Sequence, residues 1–240
     1  MKAIILAGGL GTRFRPISNY IPKPMMPIGI SEKPLLEYIV KLCLRNGINE
    51  IIIVGGYKMH QIQNYFGDGS RFGAKIIYVE DKQEGTAGSI LRAAHLVDKD
   101  FVVYYGDILS DINLREMIDF HKKSKAIATI AVSSNIPLEV GVVKLKRNRI
   151  VDFVEKPTIG LFANIAIYVL NQRIIEYITE IKRERESIDF ARDVFPLLIK
   201  KREKLVGYLT NCYWNDIGNL GKYEKLDHEE ISRIFSWVEE

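Results

Sequence analysis

The chain has 240 residues, 47% hydrophobic and 27% charged, with a formal net charge of +4. This length suits one large α/β domain with a sizeable core, and the composition is that of a soluble globular protein. No apolar run approaches the roughly 20 residues that span a bilayer. Basic residues are mixed with acids, as in Lys182-Arg183-Glu184-Arg185-Glu186, rather than drawn into a stripe among exposed aromatics. Neither membrane insertion nor nucleic-acid binding is therefore expected.

The chain begins Met1-Lys2-Ala3-Ile4-Ile5-Leu6-Ala7-Gly8-Gly9. The apolar stretch runs straight into glycines without the longer apolar region and cleavage site of a signal peptide, so it reads as a first strand. Cys43 and Cys212 are the only cysteines. Two reduced thiols and a cytoplasmic location fit this usage.

Short β-branched runs at residues 3–6, 50–54, 74–79 and 101–105 read as buried strands. Helical spacing separates them at 34–46, 58–66 and 86–96, and Leu36, Ile39, Val40, Cys43 and Leu44 mark the core face of the first helix. Such alternation predicts a doubly wound, mostly parallel sheet with right-handed crossovers. Farther on, residues 126–133, 141–145, 150–155 and 163–170 are strand-like, with a hairpin turn at Lys146-Arg147-Asn148-Arg149. They predict a β-rich lobe on a mixed α/β sheet. Helical spacing returns at 171–181 and at 190–200, where Pro196 bounds or kinks it. A strand at 205–209 and a closing helix from 219 complete the chain. No repeat or linker divides it. The expectation is one compact domain, with a nucleotide-binding half over about 1–110 and a second binding half over about 111–240.

Gly8-Gly9-Leu10-Gly11-Thr12-Arg13 follows the first strand directly. Glycines let backbone N–H groups converge on an anion, and the carboxyl end of a parallel strand is where ligands collect. Walker A would need Gly-Lys-Ser/Thr, and the dinucleotide fingerprint would need a third glycine where Phe14 stands. Both patterns fail, which disfavours an NAD-dependent oxidoreductase. Arg13, and Lys23 between Pro22 and Pro24, add two cations beside the turn. Together they read as a triphosphate clamp.

Gly8 to Arg13 followed by Pro22-Lys23-Pro24 resembles the signature of the sugar-phosphate nucleotidylyltransferases. That family includes glucose-1-phosphate thymidylyl- and uridylyltransferases and mannose- and heptose-1-phosphate guanylyltransferases. Glu84-Gly85-Thr86-Ala87-Gly88 resembles the family's base-side loop, and Gly106-Asp107 the close of its nucleotide half. Gly141-Val142-Val143 and Glu155-Lys156-Pro157 resemble its sugar-side motifs, and Trp214-Asn215-Asp216-Ile217-Gly218 its late motif. Two positions depart from the pattern. Ala166 stands where Asn-x-Gly-x-Tyr has glycine, and Asn219 stands in place of a threonine, where it reads as a helix N-cap.

The resemblance implies a Rossmann-like fold and a magnesium-dependent reaction of a nucleoside triphosphate with a sugar 1-phosphate. It assigns Mg2+ to Asp107 and Asp216, the transferring phosphates to Arg13 and Lys23, and nucleotide contacts to Leu6, Ala7, Gly8, Gly9, Gly11, Thr12, Gly85 and Thr86. Lys156 is expected to grip the sugar phosphate, with Glu155, Asn164 and the Gly141 backbone around the sugar. A homo-oligomer is compatible with the resemblance.

Glu80 is the residue expected to read the base. It lies five positions before Gly85, where guanylyl relatives often place Glu and thymidylyl and uridylyl relatives usually place Gln. An acceptor-only carboxylate suits the adjacent donors N1–H and N2–H2 of guanine. GTP is therefore the expected substrate, with dTTP or UTP and glucose 1-phosphate as the alternative. A non-catalytic nucleotide-sugar sensor is a further reading, disfavoured because Arg13, Lys23, Asp107 and Asp216 are all present.

Overall fold

The computed structural model describes residues 1–134, 136, 137, 140–155 and 158–238. Its centre is a seven-stranded sheet. From one edge to the other the strands run Leu205–Leu209, Ala128–Ser133, Ala163–Leu170, Phe101–Tyr105, Lys2–Leu6, Glu50–Gly55 and Lys75–Glu80. Neighbours pair in parallel except on either side of Ala163–Leu170, which is antiparallel to both partners. The mixed, mostly parallel sheet expected from the sequence is present. Three of the later strands belong to the central sheet itself rather than to a separate lobe.

Helices cover both faces of the sheet, which is why its strands read as continuous apolar runs. Ala3 and Ile5 pack into one core with Leu36, Ile39, Val40 and Cys43 of the helix Leu35–Arg45. Ile4 packs into the opposite core with Ala87, Ile90 and Ala93 of the helix Thr86–Ala93. Full burial of each such isoleucine contributes about 1.5–3 kcal/mol. Cys43 and Cys212 are both free thiols, and burial pushes Cys43 up to about 12, so it is an inert core residue.

A third core ties the chain's end to its beginning. Ile231, Phe235 and Val238 pack with Phe14, Met26, Ile28 and Tyr38, and Tyr223 Oη donates to the Pro27 carbonyl at 2.6 Å. Phe14, where a dinucleotide fingerprint would need glycine, is fully buried here.

Some expected elements differ in detail. The closing helix is two short ones, Leu220–Glu224 and His228–Ile234, followed by a turn. The region 190–200 is a π-helical turn leading into Phe195–Lys200, with Pro196 in its first turn. The helix Leu114–Ser124 has no counterpart in the sequence reading. Its signal was local. Asn113 caps the helix by accepting from the Glu116 N–H at 3.1 Å, its side-chain amide donates to the Glu116 carboxylate at 2.7 Å, and Leu114, Met117 and Ile118 turn inward.

Candidate active site

Four of the motifs, the glycine turn, Lys23-Pro24, the loop at Gly85 and Gly106-Asp107, meet at the carboxyl ends of the central strands, where parallel α/β sheets bind ligands. A cavity of about 420 Å³ opens there, whereas Gly141, Glu155, Asn164 and Asp216 do not line it. Leu6, Ala7, Gly8, Gly9 and Thr12 line it from the first strand and its turn. Lys23 and Pro24, Gly85 and Thr86, and Tyr105, Gly106 and Asp107 complete much of the rest. A larger recess, of about 970 Å³, lies between the helix Leu35–Arg45 and the chain's end and contains none of the motif residues.

The glycine turn serves two purposes. Gly11, at φ 62°, starts a short 3-10 turn over Thr12–Phe14. Gly8 instead makes room: a Cβ there would lie 1.8 Å from an oxygen of Asp81. Arg13 follows the cavity-lining Thr12, but its side chain is exposed and does not line the cavity.

Lys23 stands at the start of another 3-10 turn behind the extended Pro22. Its ammonium donates to Asp107 Oδ2. Asp216 comes from the last third of the chain and is brought beside Asp107 by an antiparallel strand pair. Asp216 stands opposite Ile108, and the Ile217 N–H donates to the Asp107 carbonyl at 2.9 Å. Asp216 holds Lys222 at 2.7 Å. Asn219 is the N-cap expected of it, accepting from the Lys222 N–H at 2.9 Å.

Each of the two carboxylates thus already holds one cationic group. Among the described residues no cluster of three His, Cys, Asp or Glu side chains could hold a metal. Magnesium does not need one, because it binds through one or two carboxylates and takes its other ligands from water and phosphate. Asp107 and Asp216 fit that requirement.

The base-side loop is held by a segment that the sequence reading did not connect to it. The Ile188 N–H donates to the Glu84 carbonyl at 2.7 Å, and the Ala87 N–H donates to the Ile188 carbonyl at 3.0 Å. Gly85 sits at φ 84°, and a Cβ there would fall 2.3 Å from the Ile188 carbonyl oxygen. Thr86 Oγ1 donates to Asp189 at 2.9 Å and accepts from the Phe190 N–H, so its hydroxyl braces the loop. Burial pushes the Glu84 carboxyl up, but ion pairs with Arg92 at 2.9 Å and Lys182 at 3.0 Å outweigh this and lower its pKa.

The expectation for Glu80 needs correction. Glu80 ends its strand opposite Gly55, is exposed, and does not line the cavity. Successive side chains of a strand point to opposite faces, so it is Asp81 that turns inward. Asp81 Oδ1 accepts from Ser89 Oγ at 2.9 Å and from the Gln83 N–H at 3.0 Å. Asp81, Gln83, Ser89 and Ser187 all line the cavity and were missed by the sequence reading. Strand alternation carried to its end would have found Asp81.

On the sugar side, Gly141 and Glu155 come together: a Cβ on Gly141 would lie 2.8 Å from Glu155 Oε2. Glu155 is exposed. Asn164 donates to Tyr168 Oη at 3.0 Å and accepts from the Ala166 N–H at 2.9 Å. Ala166 has φ 58°, within a break in register between Asn164 and Tyr168. Lys156 lies outside the described residues.

The architecture is an α/β sheet with a glycine turn, a lysine and an aspartate in a cavity at its carboxyl edge. The chain belongs to the nucleotidyl transferase family, whose sequence profile matches residues 2–232. It is 33% identical to the UTP–glucose-1-phosphate uridylyltransferase of Synechocystis sp., over 97% of this chain and 64% of that protein. It is also 33% identical to the D-glycero-alpha-D-manno-heptose 1-phosphate guanylyltransferase of Aneurinibacillus thermoaerophilus, over 95% of this chain and 98% of that one. Among solved structures, a proposed glucose-1-phosphate thymidylyltransferase of Bacillus anthracis, in complex with sucrose, superposes with a TM-score of 0.78 at 25% identity, covering 97% of this chain and 95% of that one.

Proposed function

We propose that the chain joins a sugar 1-phosphate to a nucleoside triphosphate, forming a nucleotide-sugar and pyrophosphate in the cytoplasm. The observation that carries this is the ion pair of Lys23 with Asp107 in the cavity of the glycine turn, with the Asp216 strand paired beside Asp107, together with relatives that carry uridylyl- and guanylyltransferase names. No helix among the described residues is long and apolar enough to cross a membrane.

The reaction is an in-line attack by a sugar-phosphate oxygen on the α-phosphorus. A new P–O bond forms as the bond from that phosphorus to the β-phosphate bridge breaks, and the electron pair leaves with pyrophosphate. The attacking oxygen is already ionised, so no general base is needed, and the work of the protein is alignment and charge neutralisation. The turn from Gly8 to Thr12 and Lys23 hold the phosphates, and Arg13 closes on the transferring group. Glu155, Asn164, the Gly141 backbone and Lys156 receive the sugar phosphate. Magnesium, held by Asp107 and Asp216, would lend positive charge to the phosphate oxygens when bound.

GTP is the proposed nucleotide, with Asp81 in place of Glu80 as the carboxylate that meets guanine N1–H and N2–H2. One such paired contact contributes about 1–3 kcal/mol of discrimination, roughly 5- to 150-fold. A second reading rests on Gln83, which lines the same cavity. Its amide can accept from N3–H and donate to a neighbouring oxygen of uracil or thymine. Pyrophosphate release across GTP, UTP, dTTP, CTP and ATP with several sugar 1-phosphates separates the two. The guanine reading expects GTP to be turned over best and Asp81→Asn to narrow its lead. Faster turnover of UTP or dTTP on every sugar phosphate transfers the role to Gln83, and no release with any pair rejects the enzyme.

A further inference from the structure

The reaction as drawn gives no role to Ser18, which lies between the glycine turn and Lys23 in the 3-10 turn Ile17–Asn19. Ser18 is 1% exposed. A Cβ placed on Gly11 would lie 3.1 Å from Ser18 Cβ, 3.7 Å from Ser18 Oγ and 3.8 Å from Lys23 Cβ. Ser18 is thus wedged behind the two parts proposed to hold the phosphates. Its own turn is fixed from the other side. Tyr57 Oη donates to the Ser18 carbonyl at 2.9 Å, and Gln61 Nε2 donates to the Tyr20 carbonyl at 2.7 Å.

The Ser18 hydroxyl, by contrast, has no hydrogen-bond partner among the described residues. Most buried hydroxyls are paired, because leaving one unpaired costs the full desolvation of the group. Alanine would fill nearly the same space without that cost, so the hydroxyl calls for a role.

The backbone packed against it is that of Gly11. The Gly11 carbonyl accepts from the Phe14 N–H at 2.8 Å, and a carbonyl oxygen has a second lone pair for another donor. The same peptide unit carries the Thr12 N–H, which in a trans peptide points the opposite way. Thr12 lines the cavity, whereas Ser18 does not. A hydroxyl donating to this carbonyl from behind would therefore polarise a peptide whose N–H faces the phosphates, and hydrogen bonds in such a chain strengthen one another.

We propose that Ser18 is a positioning residue of the phosphate site. When a triphosphate seats, the glycine turn closes onto Ser18, Ser18 Oγ donates to the Gly11 carbonyl, and the Thr12 N–H is aimed at a phosphate oxygen. This rests on the proposed function only in taking the cavity as the place of the phosphates. The hydroxyl that destabilises the free protein gains its partner together with the ligand, so stability and affinity should respond to its removal in opposite directions.

Ser18→Ala tests this with two readouts. Thermal denaturation of the nucleotide-free variant should give a melting temperature about 2–4 °C above that of the wild type, because an unpaired buried hydroxyl is gone. Isothermal titration with magnesium tripolyphosphate, and with GTP and UTP in the absence of sugar phosphate, should show binding weakened about tenfold. Ser18→Cys, which lacks a strong donor, should lose affinity to the same extent. In turnover assays the KM for the nucleotide should rise while kcat and the KM for the sugar 1-phosphate change little, as for a group that aids ground state and transition state alike. A serine with a merely structural role would lower the melting temperature when removed and leave affinity unchanged. A lower melting temperature for Ser18→Ala, tripolyphosphate affinity unchanged in either variant, or no binding of tripolyphosphate by the wild type would overturn the proposal. Tripolyphosphate binding that the variants weaken, without turnover of any substrate pair, would instead keep Ser18 in this role and reject the proposed reaction.

Discussion

The two ends of the strand Ala163–Leu170 experience opposite environments. Its second half, Ile167 to Leu170, pairs with Phe101–Tyr105 and is buried on both faces. Its first half is partly exposed and follows in sequence an arm, the pair Val142–Lys146 with Arg149–Val154, in which every residue is exposed. The proposed nucleotide side of the site is built on the first kind of backbone and the proposed sugar side on the second. Lys23, Asp107 and the loop from Glu84 to Thr86 are each tied to a neighbouring segment by hydrogen bonds or ion pairs. Gly141 lies against Phe153 and Glu155 of the same ribbon. In the proposed reaction, phosphate chemistry would rest on buried, hydrogen-bonded elements, and sugar contacts on an exposed part whose changes leave the core undisturbed.

The largest effects should fall on the rigid side. Asp107→Asn should lower turnover on the order of 10³-fold, as expected when a carboxylate holding a catalytic cation is lost. Excess EDTA should do the same to the wild type, and added magnesium should restore it. Pyrophosphate release measures both, and full activity after metal removal would refute the assignment. The exposed Arg13 tests whether rigidity is required: Arg13→Lys should still lose about 10³-fold, because a point ammonium does not reproduce a bidentate fork. A loss of only a few-fold would leave Arg13 outside the reaction.

Stability should show the same division. Ile53→Ala, in the buried centre of the sheet, should cost about 2–5 kcal/mol in urea denaturation. Leu145→Ala on the arm should change the stability of the body by less than about 0.5 kcal/mol. Equal costs would mean that the arm is packed against the body.

The smallest effect lies at the junction of the two regions. Ala166 holds φ 58°, a conformation that L residues resist and glycine does not. Ala166→Gly should therefore stabilise the protein by roughly 0.5–1 kcal/mol, the reverse of the usual cost of glycine in a strand. A lower urea midpoint for the variant would show that the methyl group contributes more in packing than the backbone loses in strain.

Much of this was legible along the chain. Period and composition located the central strands, because a strand covered on both faces must be apolar throughout. The glycine turn, Lys23, Asp107 and Asp216 could be named because their motifs are local. The helix Leu114–Ser124 was also legible in its N-cap, Asn113, although the sequence reading did not assign it. Glu80 was misread because counting back from Gly85 specifies a position along a strand but not the side to which its neighbour turns.

Taken alone, the sequence determined the elements, the class of chemistry and the cationic and acidic groups available for it, since these depend on residue type and spacing over a few turns or strands. Only the tertiary structure decided which of them meet. It set Asp216 beside Asp107 through a strand pair more than a hundred residues apart in sequence. It clasped Gly85 with Ile188, a contact that exists only because the two backbones cross too closely for any side chain.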